Sequence, residues 1–104
     1  MSPMNPTAAR NFYLVSYDIT SNKLRRNIEK TLKNFGQRMQ KSVFLCVLAG
    51  EQLSSMTITL QQLLTSMIAL QESGDSVAIT GPIHGKSFKF LLGNSCILQD
   101  YMLY

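Results

Sequence analysis

The segment Phe12 to Ile19 is apolar on both of its alternating faces, and this constrains the fold more than any other feature of the chain. Tyr13, Val15, Tyr17 and Ile19 share one face, while Phe12 and Leu14 share the other with Ser16 and Asp18. Side chains alternate along a strand, so this pattern suits a central strand with neighbours on either side better than a half-exposed edge. Its single charge, Asp18, falls at the carboxyl end. Thr20, Ser21 and Asn22 follow as helix N-cap candidates.

From Lys23 to Phe35 the period changes. Leu24, Ile28, Leu32 and Phe35 recur at helical spacing, and at about 100° per residue Arg25, Arg26, Lys30 and Lys33 are expected on the opposite side. Gly36 is placed to end this helix as a C-terminal glycine. Two short strands, Gln37 to Gln40 and Val43 to Leu48, are expected next around a turn at Lys41 and Ser42; one long kinked strand is the competing reading. Glu51 to Glu72 forms a second helical region with a broad apolar face and almost no charge. Ile58 between two threonines suggests that its regular part starts near Thr57. Ser76 to Thr80 reads as a further strand, stopped by Gly81 and Pro82.

Strand, helix, strand, strand, helix, strand is the order of an α+β, ferredoxin-like βαββαβ sandwich, with two helices on one face of a four-stranded antiparallel sheet. Residues 1–11 are read as a flexible extension, 12–98 as the domain with a C-terminal dimerisation strand, and 99–104 as a tail. The apolar bursts Phe88 to Leu92 and Cys96 to Leu98 have no slot in a finished sheet of this type. They are expected to add a strand to the sheet of a second copy, covering an edge.

Charge is segregated. Seven of the ten basic residues lie between Lys23 and Lys41 against one acid, Glu29, and none lies from Ser42 through Gly85. A helix face that is merely solvated usually mixes signs in i,i+4 pairs, so this distribution points to a polyanion partner. No run of about 18 apolar residues marks a membrane span, and the first residues lack the apolar stretch of a secretion signal, so a cytoplasmic protein is expected. Cys46, Cys96 and His84 are too scattered for a zinc site, and two reduced thiols are favoured over a disulfide. His84 reads as a loop residue.

Several of these segments together resemble the small CRISPR-associated endonuclease family, the Cas-two family, the non-integrase member of the pair that captures foreign DNA as spacers. They are Tyr13 to Ile19 (YLVSYDI), Lys23 to Arg26 (KLRR), Gly36 to Phe44 (GQRMQKSVF), Asp75 to Ile79 (DSVAI), Phe90 to Gly93 and Cys96 to Leu98. The resemblance implies a homodimer in which the aspartate ending the first strand, here Asp18, faces its symmetry mate and the pair holds magnesium. It also implies a partnership with the CRISPR integrase and with spacer double-stranded DNA, and in some members cleavage of single-stranded RNA or duplex DNA. By position, Arg25, Arg38, Ser42 and Phe44 match residues linked to activity or substrate contact, and the basic helix adds Arg26, Lys30 and Lys33. The chain departs from the family in carrying Leu45 where Glu often follows Ser-Val-Phe, and in a longer N-terminal extension. Two roles are weighed: an adaptor that bridges integrase subunits, and a magnesium-dependent endonuclease with paired Asp18. A toxin-like metal-dependent ribonuclease of the same fold is the alternative outside CRISPR. From the residues alone, Asp18 is also a candidate turn cap, Ser42 a turn residue, and Tyr17 and Phe44 core residues.

Overall fold

A computed structural model of the chain describes residues 9–83 and two short strands beyond them. The first strand, β1, spans Asn11–Asp18, followed by helix α1 at Asn22–Leu32, strands β2 at Gln37–Gln40 and β3 at Val43–Leu48, helix α2 at Gly50–Ser66 and strand β4 at Ser76–Ile83. The sheet order is β2-β3-β1-β4, and every neighbouring pair is antiparallel. This is the expected ferredoxin-like arrangement, with β1 interior. The hairpin at Lys41 and Ser42 is resolved as two strands, not one kinked strand.

Both faces of β1 pack, the helix side along the strand and the other side over its first half, leaving Ser16 and Asp18 exposed. On the helix side Tyr13, Val15 and Tyr17 join Leu24, Ile28 and Leu32 of α1, Phe44, Cys46 and Leu48 of β3, and Met56 and Leu60 of α2 in the main core. On the other side Phe12, Met39 and Leu45 form a second cluster, with Leu14, Val47 and Ile83 partly buried against it. Full burial of a leucine or isoleucine side chain contributes roughly 1.5–3 kcal/mol, so the three buried residues of α1 anchor a helix that has little intrinsic stability in isolation.

Four local expectations change. Gly36 is not a left-handed helix cap, since the glycines at positive φ are Gly74 and Gly81. It is needed because a Cβ there would lie 2.3 Å from the Leu45 carbonyl oxygen and 2.5 Å from Cys46 Sγ. The second helix starts at Gly50, not near Thr57, and a separate 3₁₀ turn covers Ile68–Leu70. Gln52 Oε1 accepts the Ala49 N–H at that start, and the Thr57 and Thr59 hydroxyls donate back to the Leu53 and Ser55 carbonyls within the helix. Finally, β4 runs through Gly81 and Pro82 to Ile83. Phe12 pairs with Ile83 and Leu14 with Thr80, so Gly81 and Pro82 oppose the single residue Tyr13 in a bulge. β4 is an edge strand, where a missing N–H is tolerated.

Two further strands, β5 at Leu91–Leu92 and β6 at Ser95–Cys96, pair antiparallel with each other. The expected exchange of a C-terminal strand with a second copy, the tail from residue 99 and His84 lie outside the described residues, while β1 begins at Asn11, one residue inside the expected extension. Cys46 is a free, buried thiol, and burial raises its pKa to about 11.

Candidate nucleic-acid interface

The end of β1 is framed on both sides. Ser16 pairs with Val43 at the start of β3, the Tyr17 N–H donates to the Ser42 carbonyl at 3.1 Å, and Asp18 pairs with Ser76 at the start of β4. Strand alternation turns Tyr17 into the helix-side core and Asp18 toward the helix-free face, exposed. Among the described residues the Asp18 carboxylate has no hydrogen-bond or ion-pair partner. It does not cap the turn. Ser21 caps α1, its Oγ accepting the Leu24 N–H at 3.2 Å. Thr20 is held instead by Asp75, whose Oδ1 accepts both its N–H at 3.1 Å and its hydroxyl at 3.0 Å. Asp75 Oδ2 also accepts the Glu72 N–H at 2.9 Å. These donors, the Glu72 N–H foremost, hold the Asp75 carboxyl below its usual pKa.

The exposed cations of α1 are not quite the expected set. Taking about 100° per residue, Lys23, Arg26, Lys30 and Lys33 fall within an arc of roughly 80°, centred opposite Leu24, Ile28 and Leu32. All four are exposed. Arg25 lies off this stripe and is half-buried; its Nη1 donates to the Ile19 carbonyl at 3.0 Å and its Nη2 to Asn22 Oδ1. It ties the helix to the end of β1. Lys23, which the sequence reading left out, takes its place. Ten residues of helix span about 15 Å, a length over which one strand of B-form DNA passes roughly four phosphates.

Arg38 is tied as well. Its Nη2 reaches Glu29 Oε2 at 3.0 Å and the Lys41 carbonyl at 2.7 Å. The Tyr17 hydroxyl donates to the same Glu29 oxygen at 2.8 Å, with the Lys41 carbonyl 3.2 Å away. Burial first, then this bond to Glu29, raises the Tyr17 pKa to about 12. Glu29 therefore joins β1, α1 and β2. Its signal in the sequence was its position as the single acid amid seven cations. Asp75 carried no comparable signal.

The remaining expected residues separate. Ser42 is half-buried in the β2–β3 turn beside the end of β1. Phe44 is 0% exposed, at the centre of the main core and 6.4 Å between ring centroids from Tyr17, so it has no face to offer a base. Leu45, at the position where an acid was looked for, is buried in the second cluster. The acid and the cationic stripe thus occupy opposite layers. Among the described residues no three His, Cys, Asp or Glu side chains converge to hold a metal. No helix among the described residues is long and apolar enough to cross a membrane.

Comparison with known proteins bears on this geometry. Residues 11–81 match the family model described as CRISPR associated protein Cas2. The chain is 33% identical over 95 residues to "CRISPR-associated endoribonuclease Cas2 1" of Rhodospirillum rubrum, covering 86% of this chain and 93% of that one. It is 37% identical over 71 residues to "CRISPR-associated endonuclease Cas2" of Halalkalibacterium halodurans, covering 64% and 68%. Among solved structures, Streptococcus pyogenes Cas2 superposes with a TM-score of 0.57 at 25% identity, covering 77% of this chain and 98% of that one.

Proposed function

The chain belongs to the CRISPR associated protein Cas2 family, and on that premise we propose that it is a homodimeric adaptor of CRISPR adaptation. It lays double-stranded spacer DNA along α1 and bridges CRISPR integrase subunits. The observation that carries this reading is the unbroken stripe Lys23, Arg26, Lys30 and Lys33, exposed along one line of α1. Ammonium and guanidinium groups spaced along a helix suit sugar–phosphate chains of any sequence, because phosphate contacts position without reading bases. Dimerisation is supported by the place of β4 at the sheet edge among the described residues, where Ile79 is 37% exposed, and by Leu14, Val47 and Ile83, partly buried on the helix-free face.

The test is duplex binding across a salt series by wild type and by Lys23→Gln, Arg26→Gln, Lys30→Gln and Lys33→Gln combined. If all four contact phosphate, the slope of log affinity against log salt shrinks by about 3.6 per helix engaged, at about 0.9 per contact. Spacer capture in the presence of integrase should fail as well. A variant that keeps wild-type affinity and slope overturns the reading.

A second reading, magnesium-dependent endonuclease activity on RNA or DNA, draws on Asp18 and on the names of the relatives above. One carboxylate is too few for the ion, but a two-fold axis across the helix-free face brings a second Asp18, and magnesium commonly takes one or two carboxylates from protein. Bound there, the ion would supply an activated water and offset charge on phosphate. Asp18→Asn removes no hydrogen bond or ion pair of the described residues, so its effect on stability should stay within about 0.5 kcal/mol. Cleavage should be lost while the dimer survives; undiminished cleavage removes Asp18 from the chemistry. Membership of a CRISPR-associated family leaves the toxin-like ribonuclease outside CRISPR without support.

A further inference from the structure

Arg38 holds its ion pair in an unusual way. Both of its bonds, to Glu29 Oε2 at 3.0 Å and to the Lys41 carbonyl at 2.7 Å, are made by the same nitrogen, Nη2. A guanidinium presents two edges for forked recognition of a phosphate, one formed by Nε and Nη2 and one by the two terminal nitrogens. Both edges need Nη2, and its two hydrogens are already engaged. The side chain is nonetheless 42% exposed, while Glu29 is 15% exposed and fixed from beneath by the Tyr17 hydroxyl at 2.8 Å. The arginine reaches solvent with its forks occupied.

We propose that Glu29 is an internal stand-in for phosphate, a latch that keeps Arg38 closed until nucleic acid takes the guanidinium from it. The carboxylate stays in place after exchange because Tyr17 continues to donate to it. Arg38 is carried on β2, at the register position opposite Phe44, and swings as a side chain without disturbing the sheet. The latch raises the threshold for weak or isolated anions, since a single phosphate must replace a carboxylate already in position. A continuous polyanion held along Lys23, Arg26, Lys30 and Lys33 supplies phosphate at high local concentration and opens it. This inference rests on the reading of α1 as a phosphate-binding surface.

The experiment compares wild type, Glu29→Gln, Arg38→Gln and the double variant in duplex DNA binding between 50 and 200 mM salt. Glutamine is nearly isosteric and still accepts from Tyr17. Glu29→Gln should tighten binding by about two- to fivefold, the size of a partly exposed ion pair, and steepen the salt slope by about 0.9 for each Arg38 released. The gain should vanish in the Arg38→Gln background. Glu51→Gln makes the same change of net charge at the first turn of α2, and an equal gain from it overturns the proposal. So does weaker binding by Glu29→Gln, or a gain that survives without Arg38. A measurement on unaltered protein covers the case of a poorly folded variant: the Arg38 guanidinium NMR signals should move on saturation with duplex, and signals that stay put overturn the latch. Failure of wild type to bind duplex refutes the binding surface and the latch together. Binding by wild type with no gain in Glu29→Gln refutes the latch alone.

Discussion

Phe44→Leu separates two roles for one residue that lead to opposite measurements. In the structure the ring is fully buried among main-core residues and tilted 36° against Tyr17 at 6.4 Å. Leucine keeps the site apolar but loses the aromatic pair, about 0.5–1.5 kcal/mol, and changes shape, about 1 kcal/mol more. The sum, about 2 kcal/mol, lowers the melting temperature by roughly 8–16 °C for a domain of this size. Nucleic-acid affinity of the folded protein should stay within about twofold, because no atom of the ring meets solvent. If Phe44 stacked on a base instead, the same change would cost about 1–3 kcal/mol of binding, roughly 5- to 150-fold, with little loss of stability. Thermal unfolding and duplex-binding anisotropy on one preparation, at fixed protein concentration, decide the matter. A large fall in affinity with an unchanged melting temperature refutes the core assignment.

Two further outcomes follow from close contacts elsewhere. Gly36→Ala forces a methyl group against the Leu45 carbonyl and Cys46 Sγ, and should cost about 1–3 kcal/mol in urea unfolding without altering the salt slope of DNA binding. Asp75 has a folded pKa below its unfolded value of about 3.9, so its contribution is fully present above that pH and is lost as pH falls through the folded value. Asp75→Asn should therefore be less stable than wild type at neutral pH, and the difference should close below about pH 4 in unfolding curves collected across a pH series.

The residues disclosed unequal amounts about different parts of this protein. The strand Val43–Leu48 stands where the pattern places it, because a short apolar run with β-branched residues acts locally. The buried stripe of α1 was equally readable from its spacing. Gly36 and Gly81 were read as stops, yet the need for a bare Cα comes from β3 in one case and, in the other, from a φ of +145° together with the Phe12 carbonyl and the Tyr13 ring. Close approach by a distant segment leaves no trace in local composition.

The chain's own periodicities determined the element order, the ferredoxin-like class and the concentration of cations on α1, since each is a property of neighbours along the backbone. Only tertiary structure decided which charges remain available. Arg25 is drawn to the Ile19 carbonyl and Arg38 to Glu29, while Lys23 stands clear in the stripe and Asp18 faces the opposite layer. The bonds that settle this cross the fold, from Tyr17 to Glu29 over 12 positions and from Thr20 to Asp75 over 55. A side chain's partners are set by packing in three dimensions, and charge counted along a sequence does not distinguish a cation that is satisfied from one that can grip a phosphate.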